Sequence, residues 1–298
     1  MASSDALVRP SESECDYLEL RARSDGMGAP FHVPTGEHMA CFLIDAGFDS
    51  PTQALEFKAL IEQPDLVTNI VLRTLESSEV RGPVISCAEG NSTHKMVAVW
   101  APGMDDWYYP ADVGVELGRG LFYLEVLYNN RSGAEAEDRS GMRVCTTQKV
   151  RPRTASMSWL GNQVFLIPGG ARDYPVSGRC TPRAQVDPIR LLRVAPYMHA
   201  RGVRSVMQID RIDGSTQLLL DEPFVPTQNK AYDIPATVRA GDTILSRCYY
   251  DNHSASSVGV GVLSDSELCH FFVLATPAYS LVSASTINIE NNSCLGSP

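Results

Sequence analysis

Val194-Ala-Pro-Tyr-Met-His-Ala-Arg-Gly-Val203 is an apolar and aromatic run that closes on Arg-Gly. In an extended strand the side chains alternate between faces, so Tyr197, His199 and Arg201 project from one side. An imidazole beside a phenol and a guanidinium is the best local case for a working site in a chain with only six histidines. The same extended texture recurs in both directions. Tyr17-Leu-Glu-Leu-Arg-Ala alternates apolar with charged residues, and a strand is expected at His38–Asp45. Short β-rich runs follow at Leu66–Leu75, Val84–Cys87, Met96–Trp100, Leu121–Tyr128, Met142–Gln148 and Gln163–Ile167. Val186–Pro196, Met198–Ile209, Thr216–Leu220, Thr243–Tyr250, Val258–Leu263 and Cys269–Leu274 continue the pattern. Pro168-Gly-Gly, Asp213-Gly-Ser and Ala240-Gly-Asp punctuate them as turns. Many short strands so punctuated predict an all-β chain of β-sandwiches.

One segment reads differently. Over Thr52–Gln63 the residues Ala54, Leu55, Phe57, Leu60 and Ile61 fall at helical spacing, which predicts a single helix. The 298 residues suffice for two ordinary domains, and Arg151-Pro-Arg-Thr-Ala is the most linker-like midpoint. The expected division is a polar, disordered N-terminus over residues 1–14, an N-terminal domain over 15–152 and a C-terminal domain over 153–298. Apolar residues make up 44% and charged residues 20%, a normal globular balance. The net charge of −10 argues against nucleic-acid binding, which needs clustered Lys and Arg. The longest apolar runs, such as Phe271–Ala275, are too short to form a membrane-spanning helix.

The 8 cysteines include no C-x-x-C pair, so long-range disulfides are expected rather than a zinc ribbon. Glycosylation sequons stand at Asn91, Asn130, Asn252 and Asn291. Cysteines and sequons together predict a secreted protein or one of the secretory-pathway lumen, although Met1–Pro10 shows no signal peptide. There is no Walker loop, no G-x-S-x-G elbow, no G-x-G-x-x-G and no H-E-x-x-H.

An ordered series of motifs is more specific. Ala98-Val-Trp-Ala-Pro-Gly-Met, Tyr109-Pro-Ala-Asp-Val-Gly-Val-Glu-Leu-Gly, Leu124-Glu-Val-Leu-Tyr-Asn-Asn and Asp138-Arg-Ser-Gly-Met-Arg-Val come first. Ile167-Pro-Gly-Gly, Met198-His-Ala-Arg-Gly, Ala240-Gly-Asp-Thr-Ile and Asp265-Ser-Glu-Leu-Cys complete it. From Tyr17 to Cys294 this order resembles the copper type II, ascorbate-dependent monooxygenases, the peptidylglycine α-hydroxylating and dopamine β-monooxygenases. The resemblance implies two jelly-roll-like β-sandwich domains in tandem with a cleft between them, each built to hold one copper. It also says where the metal ligands should be. The family's His-His pair falls on Thr68 and Asn69, and its third histidine on Leu127. Its H-x-H pair falls on Tyr197 and His199, and its methionine on Leu268. Only His199 keeps a ligand. The remaining histidines, His32, His38, His94, His253 and His270, show no paired ligand spacing, so no metal and no other cofactor is expected. The resemblance further implies the disulfides Cys248–Cys269 and Cys180–Cys294. Cys41 matches a family position, Cys145 lies near the usual partner, and Cys15 and Cys87 are left without assignment.

A frame that keeps its cysteines while losing its metal ligands suggests reuse. The expected function is a metal-independent cyclase, dehydratase or isomerase acting on a small apolar secondary metabolite. His199 and Tyr197 are its proton-transfer candidates. Thr68, Asn69, Leu127, Leu268 and Arg201 are candidate substrate contacts, with Trp107 and Tyr109 as an aromatic rim. His270, beside the former methionine position, is a second acid/base candidate, expected to point away if it alternates with Leu268. A non-catalytic ligand- or partner-binding protein and a residual one-copper oxygenase are the alternatives.

Overall fold

The computed structural model describes residues 5–24, 28–76, 84–85, 87, 95–182 and 188–281. These residues contain no α-helix, one 3-10 turn at Glu12–Glu14, and strands throughout. The chain divides into two compact units that meet in sequence at Ser156 and Met157.

In the first unit one sheet runs in the order Asp16–Arg21, Gly141–Thr147, Gln53–Leu60 and Val113–Glu116. Arg153–Ala155 then pairs in parallel with Val113–Val115. The other sheet has the order Val84–Ile85, Gly36–Asp45, Leu121–Asn130, Val67–Leu75 and Lys95–Trp100. The predicted helix is therefore a strand, Gln53–Leu60, bonded to Gly141–Thr147 on one side and to Trp107–Tyr108 and Val113–Glu116 on the other. Its first five residues are all buried. A strand covered on both faces loses the period-two signature, and apolar residues then fall at helical spacing by chance. Residues 5–14 also depart from expectation. The Val8 N–H donates to the Tyr109 carbonyl, and Arg9 pairs with Glu56 and Asp106. Arg151 binds Glu14, holding its carboxyl down at about 2, a shift due first to that bond and then to the Ser11 N–H and hydroxyl.

In the second unit Cys269–Thr276, Ile189–Tyr197 and Tyr232–Val238 are neighbours in one sheet. Tyr174–Cys180, Thr243–Tyr250, Gly202–Asp210 and Thr216–Pro223 form the other. Inward positions alternate as a sandwich requires: Cys269, Phe271, Val273 and Ala275 on one strand meet Met207, Ile209, Ile244 and Cys248 from the facing sheet. Gly161, at φ +143, allows the close approach in this core, where an added Cβ would strike the Cys269 carbonyl.

Cys248 and Cys269 are bonded, as the resemblance implied. Cys180 is oxidised, and its expected partner Cys294 lies outside the described residues. In the first unit Cys41 pairs with Cys87 and Cys15 with Cys145, so Cys145 serves the N-terminal strand instead of Cys41.

Two sequons are loop clamps rather than exposed acceptors. Asn130 Nδ2 donates to the carbonyls of Val33 and Ala134, while its Oδ1 accepts from the N–H and hydroxyl of Ser132. Asn252 Nδ2 donates to the Pro168 and Ser256 carbonyls, and its Oδ1 accepts from the N–H and hydroxyl of Ser254. In both loops the serine hydroxyl also donates to the carbonyl two residues on. Asn130 is 1% and Asn252 0% exposed, which corrects the reading of both as glycan acceptors. Asn91 and Asn291 lie outside the described residues.

Candidate functional site

Each unit gathers the residues that stand where copper ligands were expected. In the first, Asn69 and Leu127 are register partners on Val67–Leu75 and Leu121–Asn130, and a bulge follows at Leu127/Tyr128. The Thr68 hydroxyl donates to the Leu127 carbonyl at 3.0 Å. Threonine's one hydroxyl is thus committed to backbone, and leucine offers no donor atom.

In the second unit Ile189–Tyr197 ends at Tyr197, and the chain turns through Met198, His199 and Ala200 into Gly202–Asp210. Met198 fills the core on one side. Gly202 leaves room for it, since an added Cβ would meet the Met198 side chain. Tyr197 and His199 stand edge to face, ring centres 5.7 Å apart. The His199 Nδ1 lies 2.9 Å from the Ser266 carbonyl oxygen. A carbonyl can only accept, so Nδ1 carries a proton, and Nε2 is the nitrogen left to exchange one.

Glu267 holds this turn in place, and its role was not anticipated. Its carboxylate accepts the His199 N–H at 2.9 Å and the Arg201 N–H at 2.8 Å, with the Arg201 guanidinium 3.8 Å away. The side chain is fully buried, and desolvation raises its pKa against the pull of the two N–H groups, His199 and Arg201. Arg201 is thereby an ion-paired residue beside the site. The Tyr250 hydroxyl donates to the Leu268 carbonyl at 2.7 Å, which fixes the next residue along. Glu267 sits in the Asp265-Ser-Glu-Leu-Cys motif, where nothing in the sequence distinguishes it from the neighbouring acid.

His270 is the register partner of Tyr197, so it stands beside that residue and does not point away. Its ring packs on Trp159 at 4.5 Å and near Phe272 at 6.1 Å. Period two puts residues 268 and 270 on one face, not on opposite ones. Trp107 and Tyr109 are no rim. They are 2% and 1% exposed, Trp107 Nε1 donates to the Val99 carbonyl, and Tyr109 packs edge-on against Phe57.

Copper that cycles between Cu(I) and Cu(II) needs several imidazole or thioether donors at fixed geometry. Thr68, Asn69 and Leu127 in one unit, and Tyr197, His199 and Leu268 in the other, supply one imidazole in all. Among the described residues no three His, Cys, Asp or Glu converge. This donor set does not fit copper.

Residues 154–291 match the model of the copper type II ascorbate-dependent monooxygenase C-terminal domain. Dopamine beta-hydroxylase of Rattus norvegicus is 28% identical over 211 residues, 64% of this chain and 34% of that protein. The human DBH-like monooxygenase protein 1 is 27% identical over 214 residues, 64% of this chain and 35% of that protein. The chain thus spans about a third of the length of the curated relatives it matches. Among solved structures, N-glycanase F covers 91% of this chain at 7% identity and a TM-score of 0.41. The capsid protein P2 of bacteriophage PM2 covers 87% at 12% identity and 0.38.

Proposed function

We propose that this chain, whose residues 154–291 match the C-terminal domain model of the copper type II, ascorbate-dependent monooxygenases, is a member of that family that works without its metals. It is a non-redox cyclase, dehydratase or isomerase for a small apolar molecule. The supporting observation is the orientation of His199: Nδ1 is satisfied by the Ser266 carbonyl, and Nε2 is left to exchange a proton. A ring so held can take a proton at Nε2 and return it without reorienting. The imidazolium keeps its bond to Ser266, and the Glu267 carboxylate lends it electrostatic support. Tyr197, edge-on to the imidazole, supplies a phenol to donate to a substrate oxygen. Leu268, where the family has a thioether, and Leu127, where it has an imidazole, are both plain hydrocarbon, which favours an apolar ligand over a charged one. Thr68, Asn69 and Leu127 are the matching candidates in the first unit. The disulfides suit an oxidising compartment, and we place the protein in the secretory pathway.

Two measurements test the proposal. The first compares the metabolites of a host producing the wild type with those of hosts producing His199→Ala or His199→Gln. Loss of general acid/base catalysis lowers product formation by about 10²–10⁴-fold. Unchanged product from correctly folded His199→Ala would remove His199 from the chemistry. The second is metal analysis after purification with added copper. Copper well below one per chain is expected, and one or more tightly held coppers would overturn the metal-free reading.

A further inference from the structure

The second unit holds another concave site, built by strand register. Ser205 pairs across with Glu222, and Val194 with Tyr232, so all four face the inside of the sandwich. Deeper in, the inward positions are apolar: Val194, Met207, Leu220 and Ile234. At this end they change to Ser205, Glu222 and Tyr232. With Phe224, and with Gln228 and Lys230 on the exposed rim, these line a cavity of about 180 Å³. That is room for about six waters at ~30 Å³ each.

The fold makes no use of this polarity. Among the described residues, none hydrogen-bonds to the Ser205 Oγ or the Tyr232 hydroxyl, and none pairs with the Glu222 carboxylate or the Lys230 ammonium. Ser205 is nevertheless only 1% exposed. Inward-facing polar groups at the end of an apolar core are normally satisfied within the protein, so a set left open points to a guest. Glu222 and Tyr232 line the same cavity, where burial pushes the Tyr232 phenol up and the Glu222 charge pushes it further.

We propose that this cavity binds a neutral, polyhydroxylated molecule the size of one sugar ring. An apolar guest would strip water from Ser205, Glu222 and Tyr232 and give nothing back. A lone cation would face Lys230, and a lone anion Glu222. Hydroxyls donate and accept alike, so a polyol satisfies the carboxylate, the ammonium, the phenol and the serine at once. The ring faces of Phe224 and Tyr232 can meet its C–H surface. This site is independent of the His199 chemistry.

The test is saturation-transfer NMR on the full disulfide-bonded chain with glucose, galactose, mannose, N-acetylglucosamine and inositol. Butylamine, butyrate and alanine serve as charged probes. Saturable binding of at least one polyol is expected. Glu222→Gln and Tyr232→Phe should each weaken it about tenfold, the loss of one strong hydrogen bond. Both changes conserve size, and an unchanged urea midpoint will show that the sandwich is intact. His199→Ala should leave this binding unaltered, which separates the site from the proposed catalytic one. Absence of saturable polyol binding would overturn the proposal. So would preference for a charged probe, or binding indifferent to both substitutions.

Discussion

Removing the Glu267 carboxylate should loosen the turn that presents His199. In Glu267→Ala the N–H groups of His199 and Arg201 both lose their acceptor, and the Arg201 guanidinium loses its partner. An unsatisfied buried donor costs about 1–3 kcal/mol, so two cost roughly 2–6. The carboxylate's own desolvation is relieved at the same time, which offsets part of that sum. A net loss of about 3 kcal/mol is expected. Glu267→Gln keeps one acceptor oxygen and turns an amide toward the other N–H, so about half that loss follows. Hydrogen exchange read residue by residue is the direct assay, because it reports local opening at amides 199 and 201 without requiring the two units to unfold together. Exchange there should quicken by about two orders of magnitude in the alanine variant, since 1.4 kcal/mol is tenfold. If both amides stayed as protected as in the wild type, the carboxylate would not be what holds the turn.

Titration distinguishes two acids of opposite sign. Burial raises the folded-state pKa of Glu267, so the folded chain binds more protons between the unfolded and folded values, and stability falls as pH rises through that window. Glu267→Gln should remove this slope in urea titrations of the second unit. Glu14 is depressed to about 2, so its contribution is present above the unfolded value of 4.5 and is lost as pH falls from there toward 2. Acid should therefore release residues 5–14 first, visible as early exchange at the Val8 amide. Asn252→Ala leaves the Pro168 and Ser256 carbonyls without their donor and should lower stability by about 2–4 kcal/mol, with peptide mapping finding no glycan on Asn130 or Asn252. Replacing Cys248 and Cys269 together by serine opens a loop of separation 21 and should cost about 3 kcal/mol by the chain-entropy relation, read as a urea midpoint shift under oxidising conditions.

Most strands announced themselves through alternation and turn residues, and the Cys248–Cys269 bridge followed from the family pattern. Asn69 with Leu127 and Tyr197 with His199 are neighbours in the fold, as strand pairing and period-two alternation arrange them. Gln53–Leu60 was not legible, since a strand buried on both faces shows no period of two. Trp107 and Tyr109 misled because aromatic clusters look alike at a rim and in a core until burial is known. Glu267 was out of reach for another reason. It acts on backbone N–H groups, and those carry no sequence signal at residues 199 and 201.

The two asparagine loops bear on how this protein can be made. Each closes only on an unmodified side-chain amide, because that amide is enclosed and donates to carbonyls on both sides. In a glycosylating host the transferase meets the same Asn-x-Ser triplets on the emerging chain, before the loops have shut. A chain modified at either place cannot reach this fold, so yield becomes a contest between sugar transfer and loop closure. A host that oxidises cysteines without glycosylating asparagines removes the contest.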